Sequence, residues 1–327
     1  MVTTHRSTPP GQQAHRDGMV WIPGGRFTMG SDRHYPEEAP AHPVTVDGFW
    51  IDPGPVTNAQ FEAFVQATGY QTLAERPADP AAYPGADPAL LAPASAVFTP
   101  PPHPVDLRDP YQWWSYVPGA DWRHPTGPDT SLHGLGDHPV THVAWADALA
   151  YATWACKQIP TEAEWEYAAR GGLPDSQFAW GDELNPDGAH MANTWQGEFP
   201  HENLRLDGYA GTSPIGAFPA NRYGLYDMIG NVWEWTSDWY AEHRHLAPSA
   251  PTCCGTPARA NPAGGDQAGS VEPGQPHLRI PRKVMKGGSH LCAPNYCRRY
   301  RPAARMPQPV DTSTCHLGFR CVVRTAP

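Results

Sequence analysis

Apolar residues occur along the chain in short bursts, each ended by Gly, Pro, Asn or Asp before a long element can form. Met19, Val20, Trp21 and Ile22, then Gly24-Gly25, then Phe27 to Met29 read as strand, tight turn, strand. Residues 44–51 predict a further strand. The period then changes: Phe61, Phe64 and Val65 fall on one helical face behind Thr57, a suitable N-cap. Residues 76–110 are Pro- and Ala-rich without periodicity, which suits a long ordered insertion wrapping the surface and suits a flexible linker equally. Residues 137–145 predict a short strand. Residues 146–157 predict a helix with Ala148, Tyr151, Ala152 and Ala155 inward. The clearest helix follows Pro160: Thr161 caps it, Glu164 completes a capping box, acids fill its first turn, and Gly171 stops it. Beyond it helix signals nearly vanish, up to a closing strand at 318–323. Residues 247–275 form a second low-order insertion. No repeat or linker divides the chain. The pattern predicts one compact α+β domain with low regular secondary structure over residues 19–327, behind a polar, frayed tail at 1–18.

Composition narrows this. The 327 residues include 40 Pro and 31 Gly, too many chain-breakers for a helix bundle. The 13 Trp and 13 Tyr can anchor loops, since each buries a large area and its polar tip bonds to backbone. A net charge of −10 is unlike a nucleic-acid-binding footprint. No apolar run is long enough to span a membrane. The tail lacks the apolar core of a signal peptide, so a cytoplasmic location is expected. Seven cysteines is an odd number, so at least one is free or pairs between chains.

Two of those cysteines, Cys292 and Cys297, lie on a stretch rich in candidate chemistry. Ser289 precedes them, Tyr296 adjoins the second, and Arg298, Arg299 and Arg301 follow. Pro294 and Asn295 between the thiols predict a turn that folds one sulfur back on the other. Soft sulfur ligands select soft metals, copper(I) among them. By spacing alone, a short-loop disulfide or two unrelated core cysteines is the favoured reading, because C-x4-C is far less diagnostic than paired C-x2-C motifs. Trp113-Trp114 and the Trp122-Arg123-His124-Pro125 loop suit a peptide groove, and suit equally the anchoring of a loop.

The chain resembles the formylglycine-generating enzymes, the sulfatase-modifying factors, from about Met19 to Arg324. The resemblance rests on Ile22-Pro23-Gly24-Gly25 with Phe27-Thr28-Met29-Gly30, on Val56-Thr57-Asn58, and on Trp122-Arg123-His124-Pro125. It continues through Pro160 to Glu166, Asn193 to Pro200, Tyr223 to Trp235, the cysteine stretch and Leu317-Gly318-Phe319-Arg320. The wider superfamily also holds iron-dependent sulfoxide synthases and non-catalytic lectin-like modules; the two cysteines single out the formylglycine-generating branch. The resemblance implies oxidation of a cysteine in a sulfatase Cys-x-Pro-x-Arg motif to Cα-formylglycine. It implies O2 as the oxidant, copper(I) held by Cys292 and Cys297, and a thiol that supplies reducing equivalents. It implies that Ser289, Tyr296 and Trp233 line the same pocket, and that Trp122, Arg123, Arg305 and His316 bind the substrate polypeptide. It implies two structural calcium sites, one at Asn193, Thr194, Asp207 and Tyr209, the other at Asp227, Gly230, Val232 and Glu234. Nucleic acid and membrane partners are not implied. A reversible disulfide between Cys292 and Cys297 is expected when metal is absent. The sequence departs from the family pattern where Ala168 and Pro302 replace a structural cysteine pair, and where residues 306–311 alter the groove segment. Neither Cys315 nor Cys253-Cys254 acquires a role.

Overall fold

Capping chemistry decides where the helices begin. In the structure, a computed structural model describing residues 16–242, 258–274 and 279–324, Thr57 opens α1 (Asn58–Thr68) with a reciprocal box. Its hydroxyl accepts from the Gln60 amide (3.2 Å), and the Gln60 side chain accepts from the Thr57 amide (2.9 Å). Phe61, Phe64 and Val65 are buried, as their spacing requires. Thr161 and Glu164 build the same box on α3 (Glu162–Arg170), and Gly171 ends it at φ +57°. Between them, α2 (Trp145–Trp154) stops short of the predicted residue 157. Cys156 turns left-handed (φ +53°) and the Lys157 amide closes back onto the Ala152 carbonyl (2.8 Å).

The strands are shorter and more divided than the pattern predicted. The stretch 44–51 breaks at Asp47-Gly48 into β3 (His42–Val46) and β4 (Phe49–Ile51), which serve different sheets. β3 pairs with β2 (Gly25–Met29) and β8 (Arg259–Ala260); β4 lies between β1 (Val20–Ile22) and β12 (Val322–Arg324). The predicted closing strand splits likewise into β11 (Leu317–Gly318) and β12. The predicted strand at 137–145 is absent: Pro139 makes one isolated bridge to Thr57, and His142 adopts φ +58°. The 76–110 insertion is ordered. It carries β5 (Ala94–Phe98), which pairs antiparallel with β6 (Trp114–Pro118). Small residues in β5 concealed that hairpin from a pattern reading.

The largest sheet runs β10 (Arg305–Pro309), β9 (Arg282–Lys286), β7 (Trp233–Trp239), β11. Every residue of β9 is buried, including Lys286. Buried charges must be paired, and these are. Lys286 Nζ lies 2.9 Å from Glu166. Arg305 grips Glu162 through Nε (2.7 Å) and Nη2 (2.8 Å). Arg320 grips Glu234 at 2.7 and 2.8 Å, and Arg301 pairs with Glu38. The main core surrounds this frame. A second, smaller cluster of Trp113, Trp195, Phe199, Leu291 and Ala293 stands apart from it. The outcome is the α+β fold expected, with few helices and much coil. Among the described residues no helix is long and apolar enough to cross a membrane.

A candidate active site around two cysteines

Past Lys286 the chain leaves the sheet through Gly287 (φ +95°) and Gly288 (φ +72°). A Cβ on Gly288 would stand 2.9 Å from the Arg299 carbonyl and the Tyr300 amide, so only glycine fits this approach. The exit throws Ser289 to Cys297 onto the satellite cluster. There the predicted turn forms: the Cys297 and Tyr296 amides both donate to the Ala293 carbonyl, at 2.9 and 3.2 Å. The turn sets Cys292 Sγ 3.3 Å from Cys297 Sγ. That is far beyond a disulfide bond of about 2.05 Å, so the two sulfurs are not bonded to each other in this structure.

The two sulfurs differ in environment. Cys292 is 2% exposed, and burial pushes its thiol well above the ordinary range; the Ser289 amide, donating at 3.4 Å, opposes this weakly. Cys297 moves the other way. The hydrogen bond from the Cys292 thiol holds it down against desolvation, and the Arg299 guanidinium, with Nη1 3.8 Å from the sulfur, adds to the effect. Arg299 is fixed by Glu37 at 2.5 Å and lies over the Tyr35 ring. Of the two sulfurs, Cys297 is thus the more readily deprotonated.

The sulfurs face a cleft of about 390 Å³. Its side walls are aromatic: Tyr296 stacks flat on Phe199 (4.6 Å, 7°) and meets Trp113 edge-on (5.5 Å). Ser289 and Trp233 line the cleft as the resemblance implied. The Ser289 hydroxyl, however, accepts from the Leu291 amide (3.2 Å) and so helps shape the turn. His316 also lines the cleft. Its Nδ1 pairs with the Thr314 hydroxyl (2.7 Å), and burial lowers it to about 3, leaving a neutral imidazole. Met306 and Gln308 of β10 complete the wall.

Three of the implied groove residues lie elsewhere. Trp122 is 1% exposed and packs edge-on against Phe61 (5.1 Å) in the main core. Arg123 stacks over Trp122 and pairs with Glu75. Arg305 is fully buried against Glu162 and the Ala241 carbonyl (2.8 Å). Arg123 and Arg305 already have a carboxylate partner inside the fold, and the Trp122 ring is packed in the core with its indole N–H unpartnered. Sequence reasoning gave no role to Phe199 or Glu37. Phe199 sat in a quoted motif; Glu37 left no signal, since it is 262 residues from its partner.

The calcium sets differ in fit. In the first, Asp207 accepts from the Thr194 amide (3.2 Å) and the Tyr209 amide (3.0 Å), and Asn193 is 1% exposed beside it. A carboxylate, an amide side chain and carbonyls on one tight loop form a hard-oxygen donor set. In the second, burial raises Asp227 to about 6, which a cation would relieve. Glu234 already gives both oxygens to Arg320 and also accepts from Trp165 Nε1 (2.8 Å), so a cation would have to share it. Among the described residues no group of three or more His, Cys, Asp or Glu is arranged to hold a metal ion; a two-sulfur site is smaller than that. Cys253 and Cys254 lie outside the described residues.

Residues 5–325 match the family model described as sulfatase-modifying factor enzyme 1-like domain. The formylglycine-generating enzyme of Mycobacterium tuberculosis is 55% identical over 304 residues, covering 93% of this chain and 97% of that protein. A mouse protein named inactive C-alpha-formylglycine-generating enzyme 2 is 37% identical over 320 residues, covering 94% of this chain and 86% of its own. Among solved structures, PvdO from Pseudomonas aeruginosa shares the fold at a TM-score of 0.62 and 24% identity, covering 93% of both chains.

Proposed function

The chain belongs to the sulfatase-modifying factor enzyme 1-like family, and from that premise we propose that it activates sulfatases by converting one of their cysteines to Cα-formylglycine. A relative named inactive means that membership alone does not settle catalysis. The observation that carries the reading is the pair of facing, unbonded sulfurs on the floor of an aromatic-walled cleft.

The reaction takes a Cys-x-Pro-x-Arg motif, with O2 as oxidant. The substrate Cβ–S bond is replaced by a carbonyl, and sulfide leaves. That removes two electrons from the substrate. O2 takes up four on its way to water, so a thiol reductant supplies the other two. The two cysteines are a soft donor set suited to copper(I), which supplies the redox chemistry with O2 when bound. Arg299, braced by Glu37, favours the deprotonated sulfur that metal binding needs. Trp233, buried in the cleft wall, keeps water from the sulfurs. Tyr296 and Phe199 offer a flat apolar face for the polypeptide beside its reacting cysteine. Neutral His316 presents a hydrogen-bonding edge without charge. Calcium at Asn193, Thr194, Asp207 and Tyr209 would pin the loop that carries Phe199. A cytoplasmic, reducing location fits five free cysteines among the described residues.

Incubating the protein with a Cys-x-Pro-x-Arg peptide, copper, O2 and a thiol, then weighing the peptide by mass spectrometry, tests the reading. Replacement of the thiol and one hydrogen by a carbonyl oxygen gives a defined mass loss. Unaltered peptide across a range of sulfatase sequences would overturn it.

A further inference from the structure

Behind the cleft lies a second and larger cavity, about 720 Å³. Four separate segments line both. Ala96 faces the cleft, Val97 and Phe98 the cavity. Leu291 faces the cleft, His290 the cavity. Thr314 and His316 face the cleft, Cys315 between them the cavity. Phe199 faces the cleft, and His201, two residues on, the cavity. The two spaces are therefore neighbours that share these segments as a common wall.

The cavity carries unanswered polarity. Trp195 lines it and is 3% exposed, yet its indole Nε1–H has no hydrogen-bond partner. His201 Nδ1 is likewise buried and unpartnered. A buried donor left unpaired is costly, so such groups need an explanation. Beside them Arg205 holds φ +52°, a left-handed conformation costly for a non-glycine residue. Its guanidinium forms no ion pair or hydrogen bond among the described residues. Leu204 and Leu206 flank it, 53% and 64% exposed. Phe98, Leu135, Pro100 and Pro139 make the opposing surface apolar.

We propose that this cavity is an exosite for the substrate polypeptide, seating a flanking segment a few residues from the modified cysteine. The inference rests on the proposed function above. An extended chain advances about 3.3 Å per residue, so a polypeptide with its cysteine at the sulfurs can cross the Phe199-Pro200-His201 ridge in a few residues. An apolar side chain of that segment fills the cavity. A carboxylate next to it pairs with the guanidinium of Arg205.

The test compares a Cys-x-Pro-x-Arg core peptide with one extended on both sides by apolar and acidic residues, on the copper-loaded protein. The extended peptide is expected to show a KM lower by about tenfold, equal to about 1.4 kcal/mol. Ala210→Trp, a replacement at an exposed position on the cavity rim, and Arg205→Glu should each raise the extended peptide's KM to that of the core peptide. Kinetics on the core peptide should be unmoved. Equal KM values for both peptides on the unaltered protein, or equal losses on both peptides in the variants, overturn the exosite alone. Failure to convert either peptide overturns the functional reading beneath it.

Discussion

Two residues separate two regions built on opposite terms. Lys286, at the end of β9, is fully buried, and its charge is answered by Glu166 at 2.9 Å and Glu162 at 3.6 Å. Glu166 in turn accepts from the Gly30 amide (2.9 Å) and Arg170 (2.7 Å). Burial works against that carboxylate, but Lys286 and Arg170 hold it below its ordinary range. Ser289 to Cys297, just beyond the double glycine, is underprovided by contrast. Cys292 has one weak backbone donor, Trp113 Nε1 no partner, and Tyr296 stands 40% exposed. The frame spends its polar groups on one another; the cleft keeps its own for something else. That contrast is between charged groups paired within the fold and polar groups left without full partners around the cleft.

The sharpest break of the comparison is in activity. Cys292→Ser and Cys297→Ser should each lower formylglycine formation by ~10³-fold or more, the scale on which reacting groups fail. Their melting temperatures should stay within a few degrees, because the sulfurs carry little of the fold. A large fall in melting temperature, seen by calorimetry, would show that the cleft is structural after all. In the frame the effect should reverse. Glu166→Ala leaves Lys286 and Arg170 without their carboxylate, a loss of about 3–5 kcal/mol, readable as a shifted urea midpoint. Loss of turnover at unchanged stability would break the distinction from the other side. The smallest effect concerns the loop at Asp207. Chelating calcium from purified protein should lower the melting temperature by a few degrees, and Asp207→Asn should abolish that response. An unchanged melting curve would remove calcium from that site.

What could be read before folding was local. Thr57 with Gln60 and Thr161 with Glu164 satisfy helix ends within three residues, so the capping chemistry is written where it acts. The turn at Pro294-Asn295 is equally local, and it brings the sulfurs together as its residues predict. The hairpin β5–β6 escaped because Ala94 and Ala96 carry no strong alternation, and the 44–51 strand was over-extended because nothing local says that β3 and β4 belong to different sheets. The groove suffered most. Trp122, Arg123 and Arg305 are residue types common at binding surfaces, and a sequence does not show whether such a group is already satisfied.

Sequence by itself determined the helices, the sulfur turn, the absence of a helix-bundle fold and, through its motifs, the family. Tertiary structure alone decided which carboxylate answers which cation. Glu38 meets Arg301 and Glu37 meets Arg299 across more than 260 positions. It also decided that Phe199 stacks on Tyr296, and that one wall serves both the cleft and the cavity behind it. The physical reason is range. Caps and turns are fixed by bonds a few residues long, whereas burial, ion pairing and cavity shape depend on which distant surfaces the fold presses together.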